Sequence, residues 1–420
     1  MRWVHDRRVL PAIAVGAVLA LVAGCSSTSG ATSASGLGDP GGSGTGSVIT
    51  LGGAGPISDP TLSQPERKAA EEAAVAEINA AGGVNGHQLK LVYCDTQNNP
   101  NGELSCMRQL VQEKVSAIIT PGLIADQSGR GYLVAAAAKI PVIGGQGLTP
   151  VEFATPGNFP IGSGIPGWAY GQVADLLKQG AKKIAFFGTT DPGSQYIIKL
   201  SQGALKSAHV AAVRTVVVDP STDPTFASGA AKVMAGGVDG IVFDSSPLDA
   251  PRAVAALRTA GYKGMISSIT AIFATATLKA LGSQANGLLL TSQLALTSDT
   301  ANAGVSQFLA DMKKYQPGAQ VNETSETSWA GVKLFAAVMK HASDLSSTAT
   351  WDAFSNLSAP AHILVAGPYQ VKSATVYLKG YPRMYNPTVQ NGVIKDGILT
   401  PDGKGFVNPF TTLTGMASGT

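Results

Sequence analysis

One thiol in this 420-residue chain has a neighbourhood that dictates its chemistry. Cys25 ends the run Leu21-Val22-Ala23-Gly24-Cys25 and is followed at once by Ser26-Ser27-Thr28-Ser29-Gly30. Arg2, Arg7 and Arg8 form a positive start, Val9 to Ala23 an apolar stretch, and Ala23-Gly24 a small-residue cleavage point, so residues 1–24 read as a signal peptide. A cysteine at the first mature position is the lipid acceptor of a bacterial lipoprotein. The alternative, a membrane span, needs about 20 apolar residues to cross the hydrocarbon core, and this run is shorter. Arg7-Arg8 hints at twin-arginine export, whereas Asp6 and Pro11 fit that signal poorly, so the export route stays open. The expected location is extracytoplasmic, on the outer face of the cell membrane, with the membrane engaged through the lipid alone.

The remaining reactive groups are sparse. Cys94 and Cys106 are left as an even pair in an oxidising compartment, where a bridge would close a loop of 13 residues and contribute about 3 kcal/mol in the chain-entropy model. Two unrelated buried thiols are the alternative. His5, His87, His209, His341 and His362 are scattered with no His-x-x-x-His or Cys-x-x-Cys spacing, so neither a metal nor another cofactor is expected. There is no Gly-x-Ser-x-Gly elbow, and no pair of carboxylates is set by spacing into acid and base roles, which removes every positive reason to propose an enzyme. Gly52-Gly53-Ala54-Gly55-Pro56-Ile57-Ser58 follows a strand, as a dinucleotide fingerprint would. Pro56, however, removes an N–H that a phosphate needs, and the next helix starts only after Ser63. A ligand-facing loop or a plain turn fits that segment better.

Charge narrows the partners further. Removing Arg2, Arg7, Arg8 and Asp6 with the signal leaves 27 basic and 26 acidic residues, a net charge of about +1, so nucleic acid is not an expected partner. The 21 residues after Cys25 contain almost nothing that could enter a core. Residues 25–46 therefore read as a Ser/Gly-rich tether with an r.m.s. span of roughly 25 Å. The ~375 residues that follow exceed one ordinary domain and suggest two cores.

From Val48 onward, short unalternating apolar runs recur at 48–51, 89–93, 115–120, 140–144, 184–188, 213–218, 238–243, 264–268 and 287–291. Helical stretches lie between them, starting near Gln64, Gly102, Gln127, Gly167, Gly193, Thr225, Leu248 and Ala274. The first shows a capping box, Ser63-x-x-Glu66, and a stop at Gly82-Gly83. Apolar strands separated by helices predict an α/β fold with parallel sheets covered on both faces, and such a sheet takes its ligand beyond the strand C-termini. Trp329, Val332, Phe335 or Ala336, and Met339 recur as a core stripe, and the tyrosine-rich segment Tyr377 to Tyr385 reads as a solvated surface hairpin.

The run Ala74-Val75-Ala76-Glu77-Ile78-Asn79-Ala80-Ala81-Gly82-Gly83-Val84-Asn85-Gly86, followed by a strand ending Cys94-Asp95, resembles the type I periplasmic binding proteins of ABC importers, in the leucine/isoleucine/valine-binding branch. Val115 to Ile119, Ile140 to Ile143, Ala255 to Tyr262 and Ser328 to Val332 extend the resemblance over about residues 47–370. It implies two Rossmann-like lobes, joined by three crossings near 160–164, 291–294 and 365–369. One lobe would be 47–162 plus 293–365, the other 163–292 plus 366–410, with 411–420 a tail. It also implies a small-molecule ligand, ABC permease subunits as partners, and a monomer.

The family's ligand-contacting loops map to Ser58 and Asp59, to Ala125, Asp126 and Gln127, and to Gln146, Gly147, Leu148 and Thr149 in the first lobe. In the second they map to Thr190 and Asp191, Ser245 and Ser246, and Ile269. The resemblance implies a serine-rich loop for a ligand carboxylate and a second-lobe acid for its ammonium. This chain carries Ile124-Ala125-Asp126-Gln127 at the first place and Ile269 at the second. A buried charge without its partner costs about 3 to 5 kcal/mol, so a zwitterion would need a replacement acid. Asp126, Asp191 and Asp244 are candidates, each with an alternative as a helix or turn cap. Neutral groups such as Ser58, Gln127, Gln146, Thr149 and Ser245 suit an uncharged or singly charged solute, an amino acid relative or a small amide or carboxylate. A sensor of the same fold and an extracytoplasmic enzyme are the rival readings.

Overall fold

The computed structural model describes residues 46–418, apart from 61 and 373. Cys25, the signal peptide and nearly all of the tether fall outside the described residues. The first half supplies β1 (Ile49–Gly55), α1 (Pro65–Ala80), β2 (Leu89–Asp95), α2 (Pro100–Gln112), β3 (Ala117–Ile119), α3 (Arg130–Ala137), β4 (Val142–Ile143), α4 (Pro150–Ala154) and β5 (Asn158–Phe159). These strands form a parallel sheet in the order β2-β1-β3-β4-β5. After α5 (Gly164–Lys178) the chain builds a second sheet. Its strands are β6 (Ile184–Thr189), β7 (Arg214–Val218), β8 (Gly240–Asp244), β9 (Met265–Ile269) and β10 (Leu288–Ser292), connected by α6 (Pro192–Ser207), α7 (Ala227–Met234), α8 (Ala250–Thr259) and α9 (Thr275–Leu281).

Three helices then return to the first sheet: α10 (Ala303–Tyr315), α11 (Glu323–Met339) and α12 (Ser347–Ser355). The chain ends with β11 (Val389–Lys395), β12 (Ile398–Val407) and α13 (Pro409–Ser418). The last two strands join the second sheet, giving the order β12-β11-β10-β9-β8-β6-β7. The result is the two-lobed α/β architecture expected.

Burial explains which runs became strands. Ala117, Ile118 and Ile119, like Ile184 to Phe187 and Ile241 to Phe243, are fully buried, as parallel strands covered on both faces must be. On one face of the first sheet α1 packs along α11, and Trp329, Val332, Phe335 and Met339 enter that core as the expected stripe. The other face takes Met107, Leu110 and Tyr132 from α2 and α3. The end of α1 is set by Gly82 and Gly83 at φ +101° and +80°, with Gly83 N–H donating to Ile78 O at 2.9 Å.

Several expectations are corrected. The box Ser63-x-x-Glu66 does not form: α1 begins at Pro65 with Gln64 as an uncapped N-cap, while Ser63 Oγ bonds Ile57 O and Glu66 Oε1 accepts from Asn322. The sheets are not wholly parallel, because β11 pairs antiparallel with both β10 and β12. Residues 377–385 form no hairpin. Tyr381, Met384 and Tyr385 are buried, with Tyr381 edge-on to Phe153 at 5.4 Å and Tyr385 beside Phe159 at 6.1 Å, since rings of that size bury more favourably than they stay hydrated. Residues 411–418, expected as a tail, belong to α13, which packs on α5 through Phe410 and Leu413.

Candidate ligand-binding site

Strand order brings the mapped loops to common edges. In the first sheet β1, β3 and β4 are neighbours, so the loops carrying Ser58, Ala125 and Gln146 all leave one C-terminal edge. In the second sheet β9, β8 and β6 are neighbours, which does the same for Ile269, Ser245 and Thr190. Ligands of open α/β sheets bind at that edge.

In the first lobe the loops are held by the protein's own carboxylates. The Ala125 and Asp126 N–H groups donate to Glu103 Oε1 and Oε2 at 2.7 and 2.8 Å. The Gly147 and Leu148 N–H groups donate to the two oxygens of Glu152, both at 3.0 Å. Burial pushes the Glu103 and Glu152 carboxyls up, and these amide donors pull them back. A Cβ at Gly145 would run into Glu152 Oε1, so a side chain there would push that carboxylate off its amides. Thr149 is buried and caps α4, its Oγ1 accepting from Glu152 N–H at 3.2 Å.

Asp126 is also occupied: it accepts from Ser128 and from Arg130 Nε at 2.8 Å. Burial raises its pKa, but those bonds outweigh it and the carboxyl is held below the ordinary range. Gln127 is exposed and donates to Ile124 O, Asp59 Oδ1 accepts from Leu62 N–H, and Ser58 Oγ donates to Asp95 Oδ2 at 2.5 Å.

The second lobe separates the three candidate acids' remaining pair. Asp191 is exposed and caps α6, its Oδ1 accepting from Ser194 N–H at 3.0 Å. Asp244 is buried at the end of β8 with Oδ2 unpartnered, and burial, reinforced by Asp191, pushes its carboxyl well up. Thr190 is exposed, Ser245 Oγ bonds Ser246 O, and Ser246 Oγ bonds Asp249. Ile269 lies in the apolar core of this lobe. Among the described residues no three His, Cys, Asp or Glu side chains gather as a metal site, and no helix is long and apolar enough to cross a membrane.

A family model for periplasmic binding proteins matches residues 48–375. The chain belongs to that family. Solved structures agree on the fold. A possible leucine/isoleucine/valine-binding protein of Rhodopirellula baltica superposes with TM-score 0.70 at 16% identity, covering 84% of this chain and 96% of that one. The branched-chain amino acid transporter substrate-binding protein of Streptococcus pneumoniae, in complex with isoleucine, gives 0.66 at 18%, covering 84% and 97%. A fatty acid ABC transporter substrate-binding protein of Thermomonospora curvata gives 0.70 at 16%, covering 87% and 94%. No curated protein is similar enough to count as a relative.

In this periplasmic binding protein the expected bridge is present: Cys94 and Cys106 are joined, with Cα atoms 5.5 Å apart, which ties β2 to α2. Two further groups, Glu323 and Arg67, were announced by no motif. Glu323, at the first turn of α11, joins the lobes: its Oε1 accepts from Trp168 Nε1 of α5 at 3.1 Å and from Gln293 N–H at 3.0 Å, and Oε2 accepts from Thr270 Oγ1. Burial raises its carboxyl to about 7 against those bonds. Beside it lies a groove of 590 Å³ between the lobes, lined by Thr270, Phe273, Ser292, Leu296 and Glu323 among others; of the mapped loops only the one after β9 reaches it, through Thr270. Arg67 of α1 is 1% exposed and reaches over the edge of the first sheet to Gln146. Its place between Glu66 and Lys68 in a polar helical run gave no sign of burial. A positive side chain within reach of three strand ends was the detectable signal only once strand order was known.

Proposed function

We propose that this chain is a lipid-anchored solute-binding protein that captures a small molecule between its lobes and delivers it to an ABC permease without chemical change. Family membership carries the reading, and the gathering of three mapped loops at the C-terminal edge of each sheet supports it. Neighbours of the same fold are described as binding isoleucine or serving fatty acid transport, so an amino acid or a related carboxylate or amide is the class to test. Binding then shifts the lobes by differential contact.

Thermal-shift screening of a metabolite panel tests the reading directly, because a ligand at 100 times its dissociation constant adds about 2.7 kcal/mol of stability. Turnover of a bound metabolite, lost on one cleft substitution, would replace it with an enzyme. The anchor has its own test. Native mass should include a diacylglyceryl group, and Cys25→Ala should release the exported protein from membranes.

A further inference from the structure

We propose that Arg67 is the anion-receiving group of the first lobe and that the solute presents a carboxylate to it. The inference rests on the solute-binding reading and names the class of ligand. The first observation concerns supply of donors. The amide pairs at 125–126 and 147–148, which could otherwise receive a carboxylate, are spent on Glu103 and Glu152.

The second concerns the guanidinium itself. Its Nε donates to Gln64 Oε1 at 2.7 Å and its Nη2 to Gln146 Oε1 at 2.6 Å, while buried Nη1 has no partner. Nε and Nη2 form the side-on fork that grips a carboxylate with two parallel bonds. Two neutral amide oxygens thus stand where the two oxygens of a bound carboxylate would stand. Charge-assisted bonds are roughly twice as strong as neutral ones, so a carboxylate exchanging with the two glutamines gains on both.

The third concerns compensation. No carboxylate lies within ion-pair distance of Arg67 among the described residues. Glu71, one turn on, has both oxygens buried without a hydrogen bond, and burial pushes its carboxyl well above the usual range despite the nearby guanidinium. The neighbouring Tyr93 hydroxyl is likewise unpartnered. Glu152 is the other acid close enough to feel Arg67, and both its oxygens already serve amides. A buried cation with neutral partners costs several kcal/mol, a cost that a bound anion would offset. Position fits as well. Gly122 and Gly55, which follow β3 and end β1, leave the space that the side chain fills, since a Cβ at 122 would sit 2.9 Å from Nε.

The test is a matched panel of carboxylic acids, their primary amides and their alcohols, screened on the whole mature protein by thermal shift and titrated by calorimetry. Acids should bind at least about a hundredfold tighter than their own amides and alcohols. Arg67→Met should lose that preference, and Arg67→Lys, which keeps the charge without the fork, should retain part of it. The acid-to-amide ratio on the unaltered protein decides the matter even where a variant fails to fold. Equal binding of acid and amide, or undiminished acid binding by folded Arg67→Met, overturns the role of Arg67 and leaves solute binding standing. If no member of the panel binds, the solute-binding reading falls, and this inference with it.

Discussion

Glu103 and Glu152 decide what the mapped loops can do. Each carboxylate satisfies two backbone N–H groups of a loop at the sheet edge. Glu103→Ala strands two of them, so unfolding in urea should show a loss of about 2 to 3 kcal/mol with the slope unchanged. A loss below about 0.5 kcal/mol would mean that water replaces the carboxylate at no cost. Of these acids Glu152 was partly legible, since Thr149-x-x-Glu152 has capping-box spacing, although the carboxylate reaches past Thr149 to Gly147 and Leu148. Arg67 was not. Helical periodicity places a side chain on a face, while the space above Gly55 and Gly122 that buries this one is created by strands far away in sequence.

At the scale of elements, runs such as Ala117–Ile119 and Ile184–Thr189 were readable because a strand covered on both faces must be apolar throughout. The pair β11–β12 was not, since Asn391, Gly392, Pro401, Gly403 and Gly405 interrupt it and the partner that stabilises it is β10. Helix caps sort the candidate acids. Asp191→Ala should cost about 1 kcal/mol through loss of the α6 cap and leave ligand affinity untouched. Calorimetry on this variant checks both parts, and a tenfold or larger loss of affinity would return Asp191 to the binding site. Asp244, whose Oδ2 faces no donor, is the acid of the three with capacity left for a ligand cation.

For the whole molecule, buried carboxyls set the response to pH. Glu323 is raised to about 7 and Asp175 to about 6, each mainly by burial. The folded state therefore holds protons that the unfolded chain has already released, and stability falls as pH rises from about 4.5 to about 7. At about 1.4 kcal/mol per pH unit, Glu323 contributes on the order of 3 kcal/mol to that fall. Chemical unfolding at pH 5 and pH 8 should show the protein more stable at pH 5, and Glu323→Gln should flatten much of the difference. Equal stability at the two values would show that Glu323 titrates normally.

Of the three bonds made by Glu323, those to Trp168 of α5 and to the Gln293 backbone lie outside the mapped ligand loops, while the third reaches Thr270 in the mapped loop after β9. The Trp168 bond can therefore bear on affinity from outside the mapped loops. The fraction of molecules holding the joined arrangement before any solute arrives scales every apparent dissociation constant alike. Trp168→Phe, which removes one of the three bonds, should weaken a good and a poor solute by one common factor, leaving their rank and ratio unchanged in paired titrations. A protein built this way can have its sensitivity retuned at Trp168, in the joint between its halves, while its choice of solute stays fixed.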